Sequence, residues 1–589
     1  MSDASEQKPG TRAGSNTPAP NSLASDDQDG LRSRSNASEI AGETVAVVGE
    51  STGRFPRAIT VEQAERENTG RSAMMVGAGI LISRIIGVVR QRVFAHYLGI
   101  SDAAGAFNAA FKIPNFLQNI FGEGALSASF IPVYAKLLAE KDEKEASRVA
   151  DAVLTLLALV TSIIVLVGVL ITPYIITIIA PGFTGATREL TIKLVRIFFP
   201  GAGLLVLSAW CLGVLNSHRR FFLSYTAPVV WNLSIIGALI WFGRNSDQSA
   251  LATWTAWGSV VGSALQFLVQ LPTVLQLIRR LRPVFDTVSA NVREVIRNFF
   301  PVFMSRGVVQ ISAFVDSMLA SFISPQAVAS LTYAQSLYTL PVSLFGMSVS
   351  AAELPVMSGT IGSSAEIADK LRGRLDAGLR RIAFFIVPSA MAMLALGDVM
   401  TAVLYQTGEF RSDASRYVWG ILAGSTIGLL ASTLGRLYSS TYYALRDTRT
   451  PLRFAIVRVA LTTGLGYLCA IPLPPLIGLA PKWGAAGLTA SAGVAGWIEF
   501  ALLRRKLNQR IGRTGLPLSY VAKLWIAALA GALVGWAIKL AIGVRHPLIV
   551  AILVLIPYGL TYFGVTSLFS LAEADAVVGR AFRILRLKR

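Results

Sequence analysis

Apolar runs of about 20 residues recur from residue 73 to residue 571 of this chain, and several of them carry charge where a bilayer tolerates it least. The first, MMVGAGILISRIIGVVRQRVFAHYLG from Met74 to Gly99, contains Arg84 and Arg90. A later one, NFFPVFMSRGVVQISAFVDSMLASFI from Asn298 to Ile323, contains Arg306 and Asp316. A segment inside hydrocarbon must satisfy its backbone internally, so each run is predicted to be a helix. Placing a guanidinium near the bilayer centre costs roughly 2.5 kcal/mol on insertion scales. Such a residue faces a bundle interior or a watery cavity and binds something there. The pattern therefore predicts a helical transporter with an anion-binding cavity.

Composition supports a membrane solvent. The 589 residues are 53% hydrophobic and 15% charged, with a mean hydropathy of +0.55. A net charge of +20 could signal nucleic acid, but its placement argues otherwise. Lys136, Lys141, Lys144 and Arg148 fill one short connection, Arg219 and Arg220 the next but one, and Arg279, Arg280 and Arg282 the next but one again. The intervening connections, such as 100–103 and 324–326, carry few or no positive charges. This alternation predicts cytoplasmic N- and C-termini and a chain that binds no nucleic acid. The polar N-terminus shows no cleavable signal peptide. Cys211 and Cys469 lie in apolar runs, and His96, His218 and His546 are scattered, so no disulfide framework or metal site is expected.

The fold class expected is an all-α polytopic membrane protein of about fourteen transmembrane helices. The spans fall near 73–98, 104–135, 150–179, 191–215, 225–243, 250–278, 298–323, 328–358, 380–405, 416–442, 454–475, 484–503, 518–543 and 547–571. Residues 1–70, poor in large apolar side chains, read as a disordered cytoplasmic tail, and residues 572–589 as a basic cytoplasmic tail.

The chain repeats itself. Ser83-Arg84 corresponds to Ser305-Arg306, and FGEGALSASFIPV from Phe121 to FGMSVSAAELPV from Phe345. Pro114 matches Pro341, and Pro228 matches Pro451. The interval holds six spans, an even number, so the copies share one orientation. Two parallel six-helix lobes, 72–278 and 298–503, are expected around a central cavity. Spans 13 and 14, within 518–571, stand outside the repeat.

Polar residues inside these spans are the candidate site. Ser83, Gly87 and Arg90 share a helical stripe, with Arg84 about 100° away. Both arginines can border one wide cavity, and a guanidinium's planar fork suits phosphate. Arg92, nearer the span end, reads as snorkelling. In the second span Lys112, Asn115 and Asn119 recur at i, i+3 and i+7, accompanied by Gln118 and Glu123, while Pro114, Gly122 and Gly124 permit bending. Arg306, Gln310, Asp316, Gln335 and Ser336 form the polar set of the second lobe, and Glu353 is placed near a solvated end. The competing account is a buried ion pair of Arg84 or Arg306 with Asp316 or Glu123. No catalytic triad or phosphate-binding GxxxxGK[ST] loop is visible, so neither an enzyme nor ATP-driven transport is expected.

SRIIGVVRQRVFAHYLG followed by AFKIPNFLQNIFGEGALSASFIPVYAKLLAE strongly resembles the MurJ (MviN) lipid II flippases of bacteria, in the MOP exporter superfamily. APGF at Ala180–Phe183, LNSHRRFFLSYTAPVVWN at Leu215–Asn232 and YALRDTRTPLRFAI at Tyr443–Ile456 fit the same pattern. The resemblance implies a multi-pass protein of the bacterial cytoplasmic (inner) membrane. It implies alternating-access transfer of lipid II, the undecaprenyl-pyrophosphate-linked peptidoglycan precursor, from the inner to the outer leaflet for cell-wall biogenesis and cell shape. Spans 13 and 14 would form a groove for the lipid tail. Arg84, Arg90, Lys112, Asn115 and Glu123 match family cavity positions, and Arg306 adds charge from the seventh span. The sequence departs from the family pattern at Gly105, where an acidic residue is common, and at Gln118 and Ser336, where arginines occur. Implied partners are lipid II, membrane lipids and proteins of cell-wall synthesis. No cofactor is implied, although membrane potential or a monovalent ion can drive the cycle. The alternative is an ion-coupled exporter of another lipid-linked oligosaccharide or small molecule in the same superfamily.

Overall fold

The structure is a computed structural model that describes residues 61–278, 281–543, 546–577 and 579; the side chains of 61–78, 80, 122–124, 302 and 304–313 fall outside that description. Of the expected N-terminal tail, residues 1–60 lie outside the described residues, whereas 61–70 are helical. Of the C-terminal tail, 580–589 lie outside.

The described residues form fourteen helical rods. We number them α1 (Val61–Leu98), α2 (Asp102–Leu117, continued by a π segment Gln118–Leu126 and by Ser127–Ala139) and α3 (Glu143–Leu170, continued by Thr172–Ile179). Next come α4 (Gly185–Ser217), α5 (Phe221–Phe242) and α6 (Gln248–Ile278). The second set is α7 (Ala290–Ile323), α8 (Pro325–Pro341, a π segment Val342–Met347, then Ser348–Ser358) and α9 (Ser364–Tyr405). It continues with α10 (Ser412–Thr426 and Leu429–Ala444, bent by 43°), α11 (Arg449–Ala470) and α12 (Gly484–Ile511). The last pair is α13 (Leu518–Ile542) and α14 (Pro547–Leu568). Among the described residues, ten helices are long and apolar enough to cross a membrane, and eleven if the bent pair of α10 counts as one.

The repeat seen in the sequence is built into the backbone. The Ser101 side chain caps α2 by accepting from the Ala104 amide, and Ser324 caps α8 by accepting from Ala327. Each rod later widens into a π segment at its Phe-Gly pair, Phe121-Gly122 or Phe345-Gly346. A proline lies just before each: Pro114 and Pro341 cannot donate to the helical ladder, which loosens the turn that follows.

Within the first lobe α4 packs along α2, α3 and α6, and within the second α12 packs along α10 and α11. α13 lies against α14 and α9. There the Tyr562 hydroxyl donates to the Phe384 carbonyl at 2.6 Å, and Tyr558 to that of Pro388 at 2.5 Å. Pro388 leaves no amide for the helix at its own position. The tyrosines thus tie α14 to a helix whose ladder is already interrupted. A further break at Leu396 (φ −125°, ψ 16°) follows in α9.

Glu353 differs from its sequence reading. It is buried, 6% exposed, and its two carboxylate oxygens lie 3.9 Å from Arg374 and 3.7 Å from Arg381. The helix α8 turns this side chain onto α9, where two arginines one helical stretch apart neutralise it.

Candidate functional site

Between the lobes lies a cavity of about 590 Å³ whose walls come from α1, α2, α7, α8 and α9 to α12. On α1 it is bordered by Arg84, Gly87, Val88, Arg90 and Gln91. The stripe i, i+3, i+4, i+7 beginning at Arg84 faces the cavity, and Arg90 sits at its edge. Ser83, one position back, belongs to the neighbouring stripe and does not line it. On α2 the lining residues Asn108, Phe111, Lys112 and Asn115 again fall at i, i+3, i+4 and i+7. That stripe does not reach Asn119 or Gln118. Both fall in the π segment, where the extra residue in each turn rotates the following side chains off the wall.

Arg90 is held by aromatic faces. Its guanidinium carbon lies 5.2 Å from the centre of the Phe111 ring and 5.8 Å from that of Trp231, and these two rings stack at 5.5 Å. Cation–π contact stabilises the charge without consuming its in-plane N–H groups. Among the described residues neither Arg84 nor Arg90 has a carboxylate within ion-pair distance, so Arg84 forms no ion pair with Asp316; Glu123, the other carboxylate considered for it, lies outside the described side chains. Arg84 is exposed, and the space it is exposed to is the cavity.

The second lobe contributes Asp316 from α7, Thr332, Gln335, Ser336 and Tyr338 from α8, and Arg458 from α11. The Ser336 hydroxyl donates to the Thr332 carbonyl at 2.9 Å, and the Tyr338 hydroxyl meets that of Ser432 at 2.8 Å. Arg458 donates to Glu499 of α12 at 3.3 Å. Asp316 stands in electrostatic range of both Lys112, from the other lobe, and Arg458. One of its oxygens, Oδ1, is buried without a hydrogen-bond partner among the described residues. Among the described side chains, four cationic groups and one carboxylate thus face one space.

Arg458 was absent from the sequence candidates. It lies inside an apolar run, as Arg84 does, but only five residues beyond Arg453, and the connection's basic cluster masked it. Arg306, Gln310 and Glu123, proposed from the sequence, lie outside the described side chains.

One end of the cavity is shut by contacts between the lobes, at the charge-poor connections. Arg92 donates to the Val403 and Leu404 carbonyls at 2.6 and 2.9 Å, satisfying orphan groups at the C-terminus of α9 rather than snorkelling. The His96 ring meets the Thr407 hydroxyl at 2.8 Å, and the His96 carbonyl accepts from the Glu409 amide at 2.9 Å. Gly408 makes this approach feasible: its φ is +55°, and a Cβ there would stand 2.2 Å from the His96 carbonyl oxygen. The buried Tyr333 hydroxyl donates to the Gly99 carbonyl at 2.8 Å. Gly105 explains one departure noted in the sequence. A Cβ at this position would lie 2.2 Å from the Pro325 carbonyl oxygen, so the crossing of α2 and α8 leaves no room for a side chain.

At the charge-rich end the lobes meet differently. The Phe121 ring packs on Phe299 and Phe303 at 5.8 and 5.4 Å. The segment leading into α7 is strapped to α3. Asp286 pairs with Arg148 at 2.8 Å, and Glu145 accepts from Ser289 and Asn291 at 3.0 and 3.1 Å. Hydrogen bonds from the Ser289 and Val288 amides, with Arg148 beside it, hold the Asp286 carboxyl below its ordinary range.

The model of the family described as "Lipid II flippase MurJ" matches residues 94–559. A relative from Rhizobium tropici, "Probable lipid II flippase MurJ", is 31% identical over 446 residues, covering 74% of this chain and 80% of that protein. "Lipid II flippase MurJ" of Burkholderia cenocepacia is 30% identical over 449 residues, covering 75% and 84%. Among solved structures, "Lipid II flippase MurJ, inward closed conformation" superposes with a TM-score of 0.70 at 25% identity, over 84% of this chain and 98% of that one. An inward-facing multidrug resistance MATE family transporter of the MOP superfamily shares the fold, with a TM-score of 0.58 at 15% identity over 74% of this chain and 98% of that one.

Proposed function

The chain belongs to the lipid II flippase MurJ family, and we propose that its central cavity carries the pyrophosphate and sugar head of lipid II across the membrane between Arg84, Arg90 and Lys112 on one lobe and Arg458 on the other. The observation that carries this reading is the excess of cations over carboxylates among the described side chains of the cavity. A pyrophosphate accepts several charge-assisted hydrogen bonds at once, each worth about 1.5–3 kcal/mol where water is excluded. Arg90 stands over the Phe111 and Trp231 rings, contacts that leave its N–H groups available to an anion. Asp316 holds Lys112 and Arg458 in place when no anion is present, and the arriving phosphates replace it as their partner.

The chain is a multi-pass membrane protein and a transporter of lipid II, and it performs no covalent chemistry on its cargo. It sits in the bacterial cytoplasmic membrane with the lysine- and arginine-rich connections and both termini in the cytoplasm. The charge-poor end then faces outward, and the contacts of Arg92, His96 and Tyr333 seal the cavity on that side. Rocking of the lobes breaks these contacts and opens the cavity outward. The polyprenyl tail stays in lipid along α13 and α14. Carrying net charge through the field is worth about 2.3 kcal/mol per charge per 100 mV, so membrane potential biases the cycle without a cofactor. Proteins of cell-wall synthesis receive the product at the outer surface.

The test is growth rescue of bacteria depleted of their own lipid II flippase. The parent chain restores growth, and Arg90→Ala and Arg84→Ala at matched abundance do not. Rescue by both variants would remove the cavity from the mechanism.

A further inference from the structure

Away from the central cavity, on the outer face of the first lobe, an open cleft of about 530 Å³ lies between α4 and α6. Its walls include Glu189, Lys193, Arg196, Ile197 and Pro200 of α4 and Trp257 of α6. Glu189, Lys193, Arg196 and Pro200 follow one another at spacings of four, three and four residues, so they form one stripe of the helix. The three charged side chains are exposed, and among the described residues none of them has an ion-pair or hydrogen-bond partner. Glu189 and Lys193 are spaced to pair with each other and do not.

The level of this cleft in the membrane can be read from the chain. α4 is 33 residues long, more than a bilayer core requires. Its stretch from Ile197 to Ser217 contains no charged residue and spans about 31 Å, the thickness of the hydrocarbon. Arg196 is therefore the last charge before the acyl region, Lys193 lies about 4.5 Å above it and Glu189 about 6 Å further out. Exposed Trp241, Trp254 and Trp257 mark the same level on α5 and α6, as tryptophans at a membrane interface do.

We propose that this cleft binds the headgroup of a phospholipid whose phosphate is followed by a primary ammonium, a phosphatidylethanolamine. The order of charges fits that molecule from inside to outside. Arg196 and Lys193 take the phosphate at the acyl boundary, and Glu189 takes the ammonium one turn further out. The apolar wall of Ile197, Pro200 and Trp257 receives the upper acyl chains. A headgroup that ends in a hydroxyl leaves Glu189 facing only negative charge. One ending in a trimethylated nitrogen offers Glu189 no N–H donor. Solitary snorkelling of the two cations would need neither the carboxylate nor the cleft.

The experiment is native mass spectrometry of the full chain released from detergent, with phosphatidylethanolamine, phosphatidylcholine or phosphatidylglycerol added at equal concentration. The parent retains one phosphatidylethanolamine in preference to either of the others. The Lys193→Gln/Arg196→Gln variant retains all three about tenfold less well. Glu189→Gln, which leaves both phosphate contacts in place, loses the preference and holds phosphatidylglycerol at least as well as phosphatidylethanolamine. Equal retention of the three lipids by the parent, or an unchanged preference in Glu189→Gln, would overturn the assignment. The readout is independent of lipid II transport, so it stands or fails separately from that function.

Discussion

The second rod of each lobe begins on a serine cap, Ser101 or Ser324, and widens into a π segment at a Phe-Gly pair, yet the two rods offer different chemistry to the cavity between them. In the register that aligns Phe121 with Phe345, Lys112 of α2 corresponds to Ser336 of α8. In the register that aligns Pro228 with Pro451, Arg458 of α11 corresponds to Ile235 of α5, which is buried and apolar. Backbone devices are shared because both lobes must bend at the same height. These two charges are not shared: the positions that carry them in one lobe are neutral or apolar in the other. Among the described side chains the first lobe brings three cations to the cavity, and the second brings one cation and one carboxylate.

The largest effect that tests this contrast is expected at Arg90. Arg90→Ala removes a desolvated cation from its Phe111–Trp231 seat and lowers flipping by about tenfold or more, read as loss of growth rescue at matched abundance. Arg90→Lys keeps the charge, loses the planar fork, and recovers only part of the activity. Exchanging the lobes sharpens the test. Lys112→Ser makes α2 resemble α8 and impairs transport, whereas Ser336→Lys in the same chain restores charge to the wrong wall. If that double variant regained full rescue, only the number of charges would matter and the asymmetry would carry no information.

A third prediction concerns the seal. Gly105→Asp forces a side chain against the Pro325 carbonyl and pries α2 from α8. A cysteine placed at Leu404, inside the cavity, should then react about tenfold faster with a membrane-impermeant thiol reagent added from outside. Unchanged labelling would place the seal elsewhere.

The smallest effect is structural and lies outside the membrane, in the connection before α11. Asp447 accepts from the Arg449 and Thr450 amides and from Arg510 at 2.7 Å. Burial alone would raise its carboxyl, but the Thr450 and Arg510 contacts together lower it to about 2. A depressed carboxyl stabilises the fold above the unfolded value of about 3.9 and loses that contribution as pH falls toward 2. Asp447→Asn should therefore cost about 1 kcal/mol at neutral pH. The difference in melting temperature from the parent should shrink below pH 4.

Much of this was legible in the sequence because membrane burial leaves few readings of a charge. Arg84, Arg90, Lys112, Asn115, Asp316 and Ser336 were singled out as polar groups inside apolar runs, and all six border the cavity. The apolar runs also carried the helical fold, and the motifs carried the family. What was not legible depended on local geometry or on neighbours. Gln118 and Asn119 have the right spacing for the cavity wall, and only the π segment takes them off it. Ser83 belongs to a stripe that a helical wheel cannot orient without knowing the partner helices. Gly105 looked like a lost acidic residue until the Pro325 backbone occupied its place. Arg92, read as a snorkelling side chain, turned out to reach across to the end of α9.

The most direct measurement is retention of lipid II by the purified chain, compared with Arg90→Gln and with Lys112→Ser in native mass spectrometry. The parent is expected to hold one lipid II, and each variant to hold it about tenfold more weakly while keeping its other bound phospholipids. Equal lipid II retention by the parent and both variants would contradict the claim that the first lobe's cations hold the pyrophosphate.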